Sequence, residues 1–167
     1  MYQDYKDLLS AFRSHGVKYL VVGGFAVIYH SQPRFTKDMD LFIKPDIENA
    51  TATYKALAEF GVPLQGIRPE DFTDRESFFR FGRDPKSFDI LPAIPGVDFD
   101  AAWERRVETL ADEKTGLEIN SISAEDLITA KLASGRPQDL ADADAVKKAQ
   151  QLRPAKNNIQ EPNGPSQ

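Results

Sequence analysis

Residues 34–43 read Arg-Phe-Thr-Lys-Asp-Met-Asp-Leu-Phe-Ile, and this short stretch is the most informative part of the chain. Its apolar end predicts a buried strand over residues 38–43. Because side chains alternate between the two faces of a strand, Asp38 and Asp40 share one face while Met39 points into the core. Their Cβ atoms then lie roughly 6.5 Å apart, within reach of one or two bridging divalent ions. Two like charges on one face destabilise a sheet, so the pair predicts a cation site.

A Gly-Gly pair stands upstream of this stretch. Residues 17–22 are apolar and rich in β-branched side chains, which predicts a buried strand that stops at Gly23-Gly24. A short helix is predicted next, over residues 25–31. The glycines indicate a tight strand-to-helix corner, which is either a structural turn or a place where a ligand approaches the backbone.

The composition is that of an ordinary globular protein, with 41% hydrophobic and 28% charged residues among 167. The absence of cysteine excludes disulfides, thiolate metal sites and thiol catalysis, and it fits a cytoplasmic location. A net charge of −5 argues against a broad, non-specific grip on nucleic acid but leaves room for a local basic patch. No apolar run approaches the roughly 18–20 residues that span a bilayer, and the N-terminus lacks a signal-peptide pattern, so no membrane partner is expected.

Further elements follow from apolar spacing and from the turn residues at their ends. Helices are predicted over 3–14, 46–59, 123–133 and 137–150, with Ser123 as the N-cap of the third, and a helical turn is predicted within 99–106. Strands are predicted over 77–83, 87–91 and 117–122, and the first two of these form a hairpin around residues 84–86. This order predicts one α+β domain over residues 1–150, built as a mixed β-sheet with flanking helices and two C-terminal helices. Residues 151–167 are rich in Pro, Asn and Gln and are expected to form a disordered tail.

A third carboxylate, Asp89, is embedded in an apolar run. An ionised Asp inside a strand is destabilising if unpaired, so its side chain faces either solvent or a cation. If residues 87–91 pair beside residues 38–43, Asp89 joins Asp38 and Asp40 in an oxygen-rich site of the kind that Mg²⁺ or Mn²⁺ prefers. The alternative is that Asp89 is a surface residue of an edge strand.

These motifs occur in a characteristic order. In chain order they are Gly23-Gly24, Arg34-x-Thr36-Lys37-Asp38-x-Asp40, Asp89, and Lys131, Arg136, Asp139 and Asp142. The set resembles the nucleotidyltransferase superfamily with a polymerase-β-like palm. Within that superfamily it is similar to a small bacterial subgroup that includes minimal nucleotidyltransferases and the toxins of abortive-infection toxin–antitoxin pairs. The resemblance extends over roughly residues 5–150, nearly everything outside the tail.

The resemblance implies a reaction, in which a hydroxyl attacks the α-phosphorus of an NTP in line and pyrophosphate is released. It also implies that Asp38, Asp40 and Asp89 are the catalytic and metal-holding carboxylates, and that Asp89 could accept the proton of the hydroxyl. The residues implied to bind the nucleotide are Gly23, Gly24, Arg34, Thr36, Lys37, Lys131 and Arg136. Many members carry a serine after the first glycine; in this chain that residue is a glycine, which leaves only backbone donors.

Structural explanations of the same charges stay open. Arg34 and Lys37 could neutralise Asp38 and Asp40 in place of a metal. The charged residues between 131 and 142 could form a salt-bridge network that holds the last two helices together.

Two hypotheses about function follow. The first is a metal-dependent nucleotidyltransferase that modifies an RNA, such as a tRNA 3′ end, or a protein, as a toxin with a cognate antitoxin. The second is a catalytically weak NTP-binding module that acts through a protein partner. Adenylylation of a small molecule is a third option, although the sequence shows no dedicated pocket for it. The basic residues interspersed with acids over 68–86 are the candidate contact for an RNA backbone or an acidic partner surface.

Overall fold

The computed structural model describes residues 1–153; residues 154–167, which make up most of the predicted tail, lie outside the described residues. The helices are α1 (Gln3–Ser14), α2 (Gly23–His30), α3 (Ile47–Phe60), α4 (Phe99–Glu104), α5 (Ala124–Ser134) and α6 (Pro137–Gln151), with a 3-10 helix at Pro69–Thr73. The strands are β1 (Tyr19–Val22), β2 (Met39–Ile43), β3 (Phe79–Phe81), β4 (Phe88–Leu91), β5 (Val107–Asp112) and β6 (Leu117–Ser121).

The six strands form one mixed sheet in the order β3-β4-β2-β1-β6-β5. The predicted pairing of the two carboxylate-bearing strands is confirmed, because β2 and β4 are parallel neighbours with Asp40 opposite Asp89. The predicted hairpin of β3 and β4 is confirmed as well. The α+β class with flanking helices and two C-terminal helices is therefore the observed architecture.

Alternation along the strands divides the core between the two faces of the sheet. Met39, Leu41 and Ile43 pack on one face in a cluster with side chains of α1 and α3. Phe42 points to the opposite face, in a second cluster with side chains of α2, α4, α5 and α6. Asp40 alternates with Met39 and Leu41, so its carboxylate lies on the face covered by α2, α5 and α6. No helix within residues 1–153 combines the length and the apolar character needed to cross a membrane.

One strand was not predicted, and one helix boundary was wrong. The strand β5 was not predicted, because it is an edge strand whose charged and half-buried residues give no clear alternation. Helix α2 begins at Gly23 rather than at residue 25, so the Gly-Gly pair forms its first turn instead of a loop before it. The N-cap predicted for α5 is confirmed, since the hydroxyl of Ser123 accepts the amide N–H of Asp126 at 3.1 Å.

Candidate active site

One open cavity of about 630 Å³ brings together every residue predicted for the site. It lies where β1, β2 and β4 meet the start of α2 and the corner between α5 and α6. The predicted residues in its wall are Gly23, Gly24, Arg34, Thr36, Lys37, Asp38, Asp40, Asp89, Lys131 and Arg136. The wall also contains Arg80, Pro137, Gln138, Asp139 and Asp142.

The Gly-Gly corner interlocks with the stretch that follows it. Val22, the last residue of β1, pairs with Asp40, and the chain then turns at Gly23 with a φ of +66°. A Cβ on Gly23 would overlap the carboxylate of Asp40, and a Cβ on Gly24 would overlap the side chain of Thr36. Position 23, with its positive φ, therefore requires glycine, whereas a side chain at position 24 would have to displace Thr36, whose hydroxyl fills that space.

Three carboxylates and one arginine form what we call the sheet cluster, consisting of Asp38, Asp40, Asp89 and Arg80. Burial raises the pKa of Asp40 to about 7, and the neighbouring carboxylates of Asp89 and Asp38 add to the effect because a second negative charge disfavours ionisation. The sheet cluster thus has three carboxylates but only one basic side chain, Arg80, to neutralise them.

The cation of the sheet cluster is Arg80, which the sequence analysis did not include in the site. Its guanidinium donates from Nε to Asp89 Oδ1 at 2.8 Å and from Nη2 to Asp89 Oδ2 at 3.0 Å. The same Nη2 lies 3.6 Å from Asp38 Oδ2. In the hairpin register, Arg80 stands directly opposite Asp89, so the signal that could have found it is the cross-strand position in a predicted hairpin.

The suggestion that Arg34 and Lys37 neutralise Asp38 and Asp40 is wrong. Lys37 instead forms an ion pair with Asp84, with Nζ 2.7 Å from Oδ2. The guanidinium of Arg34 turns away from the sheet toward α6, and its contacts belong to the second charged cluster described below.

A buried serine sets the orientation of Asp38. The hydroxyl of Ser87 is hydrogen-bonded to the carboxylate of Asp38, and it also lies 3.0 Å from Asp84 Oδ1. Ser87 is the residue before β4 and shares the strand face of Asp89. It therefore links the hairpin turn to the start of β2.

A second group of charges faces the sheet cluster across the cavity. We call it the helix cluster, and it consists of Arg34, Lys131, Arg136, Asp139 and Asp142. Lys131 Nζ lies 3.4 Å from Asp139 Oδ1 and 3.1 Å from Asp142 Oδ2, and Arg34 Nη2 donates to Asp142 Oδ2 at 3.2 Å. Arg136 donates from Nε to Asp139 Oδ2 at 2.7 Å. The predicted salt-bridge network between the last two helices is thereby confirmed.

Ion pairing dominates the electrostatics of the helix cluster. Burial of Asp139 acts to raise its pKa, but the guanidinium of Arg136 and the ammonium of Lys131 outweigh burial and hold that pKa below its usual value. Arg136 also precedes α6, where its backbone N–H donates to Asp139 in a capping arrangement.

Residues 3–153 match the model of a family described as nucleotidyltransferase of unknown function (DUF6036). The chain belongs to this family. It is thus an enzyme of the nucleotidyltransferase class, and the predicted resemblance to that superfamily is confirmed.

A solved structure supports the same fold. The lincosamide antibiotic adenylyltransferase LnuA, determined with lincomycin bound, superposes with a TM-score of 0.55. The two chains share 16% sequence identity, and the match covers 89% of this chain and 98% of LnuA. At that identity the likeness is one of fold. No curated protein matches the chain.

The carboxylate oxygens of the sheet cluster suit a hard divalent ion, although several of them are already bonded to other side chains of the same protein. Within residues 1–153, no three His, Cys, Asp or Glu side chains are gathered as the ligands of one ion. Arg80 takes both oxygens of Asp89, and Ser87 takes one oxygen of Asp38. Three carboxylates on one sheet face are nevertheless the ligand type that Mg²⁺ and Mn²⁺ prefer, and the raised pKa of Asp40 marks a place where a cation would be stabilising.

Proposed function

We propose that this nucleotidyltransferase moves a nucleoside monophosphate from an NTP to a hydroxyl of an RNA or protein acceptor, with Mg²⁺ or Mn²⁺. The observation that carries the proposal is the convergence, on one cavity, of the glycine corner, three carboxylates of the sheet and the basic residues of the helix cluster. Each of these groups matches one demand of the reaction: phosphate binding, metal binding and charge neutralisation.

The glycine corner is suited to the triphosphate. Gly23 and Gly24 are the first residues of α2, so their amide groups lie at the positive end of the helix, and neither residue has a side chain of its own. The hydroxyl of Thr36 lies beside Gly24 and can supply the donor that a glycine lacks. Besides Arg80, the basic side chains in the same cavity wall are Arg34, Lys37, Lys131 and Arg136.

The carboxylates carry the chemical step. Asp38, Asp40 and Asp89 would hold the divalent ion, which when bound neutralises phosphate charge and activates the acceptor hydroxyl. The hydroxyl oxygen forms a bond to the α-phosphorus while the bond from that phosphorus to the bridging oxygen of the β-phosphate breaks. Pyrophosphate leaves, and Asp89 accepts the hydroxyl proton. Catalysis then consists mainly of positioning and charge neutralisation.

A catalytically weak NTP-binding module is the second candidate, and the position of Arg80 favours it. A guanidinium with two bonds to Asp89 occupies one lone pair on each oxygen and places a positive charge beside them, which disfavours an ion or a proton there. In this case the chain would bind an NTP and act through a protein partner, such as a cognate antitoxin.

The acceptor rests on weaker support than the reaction. Of the basic residues over 68–86 that could contact RNA, Arg80 is paired with Asp89 and Lys86 lies 3.4 Å from Asp4. Both are partly neutralised within the chain, which weakens an RNA-binding face there. The resemblance to toxins of toxin–antitoxin pairs supports a macromolecular acceptor, whereas LnuA, by its description, modifies a lincosamide antibiotic.

Label transfer tests the proposal. The protein is incubated with each α-labelled NTP and Mg²⁺ in the presence of total bacterial RNA, total bacterial protein, or a set of antibiotics that includes lincomycin. Label in RNA or protein that is lost in an Asp38→Asn/Asp40→Asn variant supports the proposed function. Label in the antibiotics alone would show that the acceptor is a small molecule and not an RNA or a protein. NTP binding by calorimetry without any transfer would favour the weak module, and the absence of both would contradict both candidates.

A further inference from the structure

We propose that Arg80 competes with the divalent ion for Asp89, so that the third carboxylate becomes a metal ligand only when Arg80 leaves it. This inference rests on the proposed function, since it assumes that the sheet carboxylates hold an ion. It assigns to Arg80 a control over metal loading that neither the family description nor the similarity to LnuA provides.

The contact geometry defines the competition. Arg80 uses Nε and Nη2 to bind the two oxygens of Asp89 in a planar, two-bond arrangement, which is the strong form of an arginine–carboxylate pair. Because the guanidinium occupies one lone pair on each oxygen and places a positive charge beside both, ion binding to Asp89 is disfavoured as long as these bonds persist. Nη2 also lies 3.6 Å from Asp38, so the guanidinium stands between two of the three carboxylates.

Arg80 is the counter-ion of the carboxylates in the sheet cluster. Within residues 1–153, Arg80 is the only basic side chain within 4 Å of Asp38 or Asp89. The nearby Lys131 forms its ion pairs with Asp139 and Asp142 instead. Without Arg80, three carboxylates would repel one another in a partly buried wall. The guanidinium is therefore a substitute counter-ion while no metal is bound.

Burial shows which partner can move. The side chain of Arg80 is 58% exposed and extends from the edge strand β3, so it can rotate into solvent without opening the core. Asp89 is only 10% exposed and is fixed on β4 between β2 and β3. By thermodynamic linkage, if Arg80 weakens ion binding by some factor, ion binding weakens the Arg80–Asp89 pair by the same factor.

The first test measures Mn²⁺ binding to nucleotide-free protein by electron paramagnetic resonance. We expect Arg80→Gln to bind Mn²⁺ about tenfold more tightly than the wild type, since a competitor has been removed. Arg83→Gln is the matched control, because Arg83 is an exposed arginine of the same hairpin and its loss changes the net charge equally. We expect Arg80→Lys to fall between wild type and Arg80→Gln, because lysine keeps the charge but not the two-bond geometry.

A double variant separates competition from a general structural effect. In an Asp89→Asn background the Arg80→Gln substitution should no longer tighten Mn²⁺ binding, because the carboxylate under competition is gone. Equal affinities for Arg80→Gln and Arg83→Gln, or tightening that survives in the Asp89→Asn background, would overturn the inference and leave the proposed function intact. If neither wild type nor Arg80→Gln binds Mn²⁺ while both remain folded by circular dichroism, the metal-dependent function fails as well.

Discussion

The sheet cluster and the helix cluster face each other across one cavity, yet they handle charge in opposite ways. The sheet cluster has three carboxylates and one guanidinium, and burial together with like charges raises the pKa of Asp40 to about 7. The helix cluster has three basic residues and two carboxylates, and its ion pairs hold the pKa of Asp139 below the usual value despite burial. An ionised aspartate is thus destabilising in the sheet cluster and stabilising in the helix cluster. Buried carboxylates that no residue of the chain neutralises, as in the sheet cluster, indicate a place where a positively charged ligand would bind.

The largest expected effect comes from removing a charge from the sheet cluster. Asp40→Asn should reduce nucleotidyl transfer by about 10³-fold or more, because a proposed metal ligand is lost. The same substitution should raise the stability of the metal-free protein at pH 8, because it removes a buried charge that two carboxylates repel. Label transfer and urea denaturation with EDTA measure the two effects. A variant that is both inactive and less stable would contradict the proposed difference between the clusters.

The pH dependence of stability gives a second measure of the sheet cluster. Below about pH 4, Asp40 is protonated in the folded and the unfolded chain and carries no penalty. Between pH 4 and 7 the unfolded chain releases this proton while the folded chain keeps it, so the free energy of unfolding falls as pH rises. Above pH 7 the loss is complete, at about 4 kcal/mol.

The measurement is the difference in unfolding free energy between wild type and Asp40→Asn, in EDTA, from pH 5 to 8. Subtracting the variant cancels the titration of the other groups that do not contact Asp40. We expect the difference to grow with pH up to about 7 and then to level off. A difference that is constant over this range would show that Asp40 titrates at its ordinary pKa.

In the helix cluster, removing a carboxylate should have the opposite effect on stability. Asp142→Asn leaves Arg34 without its acidic partner and Lys131 with one instead of two, which should cost about 2–3 kcal/mol of unfolding free energy. Asp144→Asn is the matched control on the same helix, because Asp144 is exposed and pairs only with Lys148 among the described residues. The control should change stability by less than about 0.5 kcal/mol. Equal effects of the two substitutions in urea denaturation would rule out a stabilising network.

The smallest effect is expected at the serine that orients Asp38. Ser87→Ala should lower the rate of transfer about tenfold with little change in the KM for NTP, because the carboxylate is retained but less well oriented. Ser77→Ala removes a comparable serine–aspartate bond, 2.7 Å long to Asp74, outside the cavity, and should leave the rate unchanged. A loss confined to KM would indicate that Ser87 acts on nucleotide binding instead.

Short-range rules were enough to predict the centre of the site. Alternation placed Asp40 of β2 on the same face as Asp38, the residue before that strand, and pairing with β4 brought Asp89 beside Asp40. Arg80 was missed because its position depends on the register of the β3–β4 hairpin, where a slip of one residue turns a side chain to the other face. The partner of Arg34 was missed because Asp142 lies 108 residues farther along the chain, and no local pattern specifies a contact at that distance.

The position of β3 at the edge of the sheet has a dynamic consequence. β3 consists of three residues, Phe79–Phe81, and within residues 1–153 it pairs with β4 alone, so its backbone is bonded along one side only in the described part of the chain. Short edge segments open at a small fraction of the free energy of global unfolding, so backbone amides there exchange with solvent long before the core does. Fraying of this strand would carry Arg80 away from Asp89 without unfolding the domain, and amide exchange at Phe79–Phe81 would report how often the third carboxylate is released.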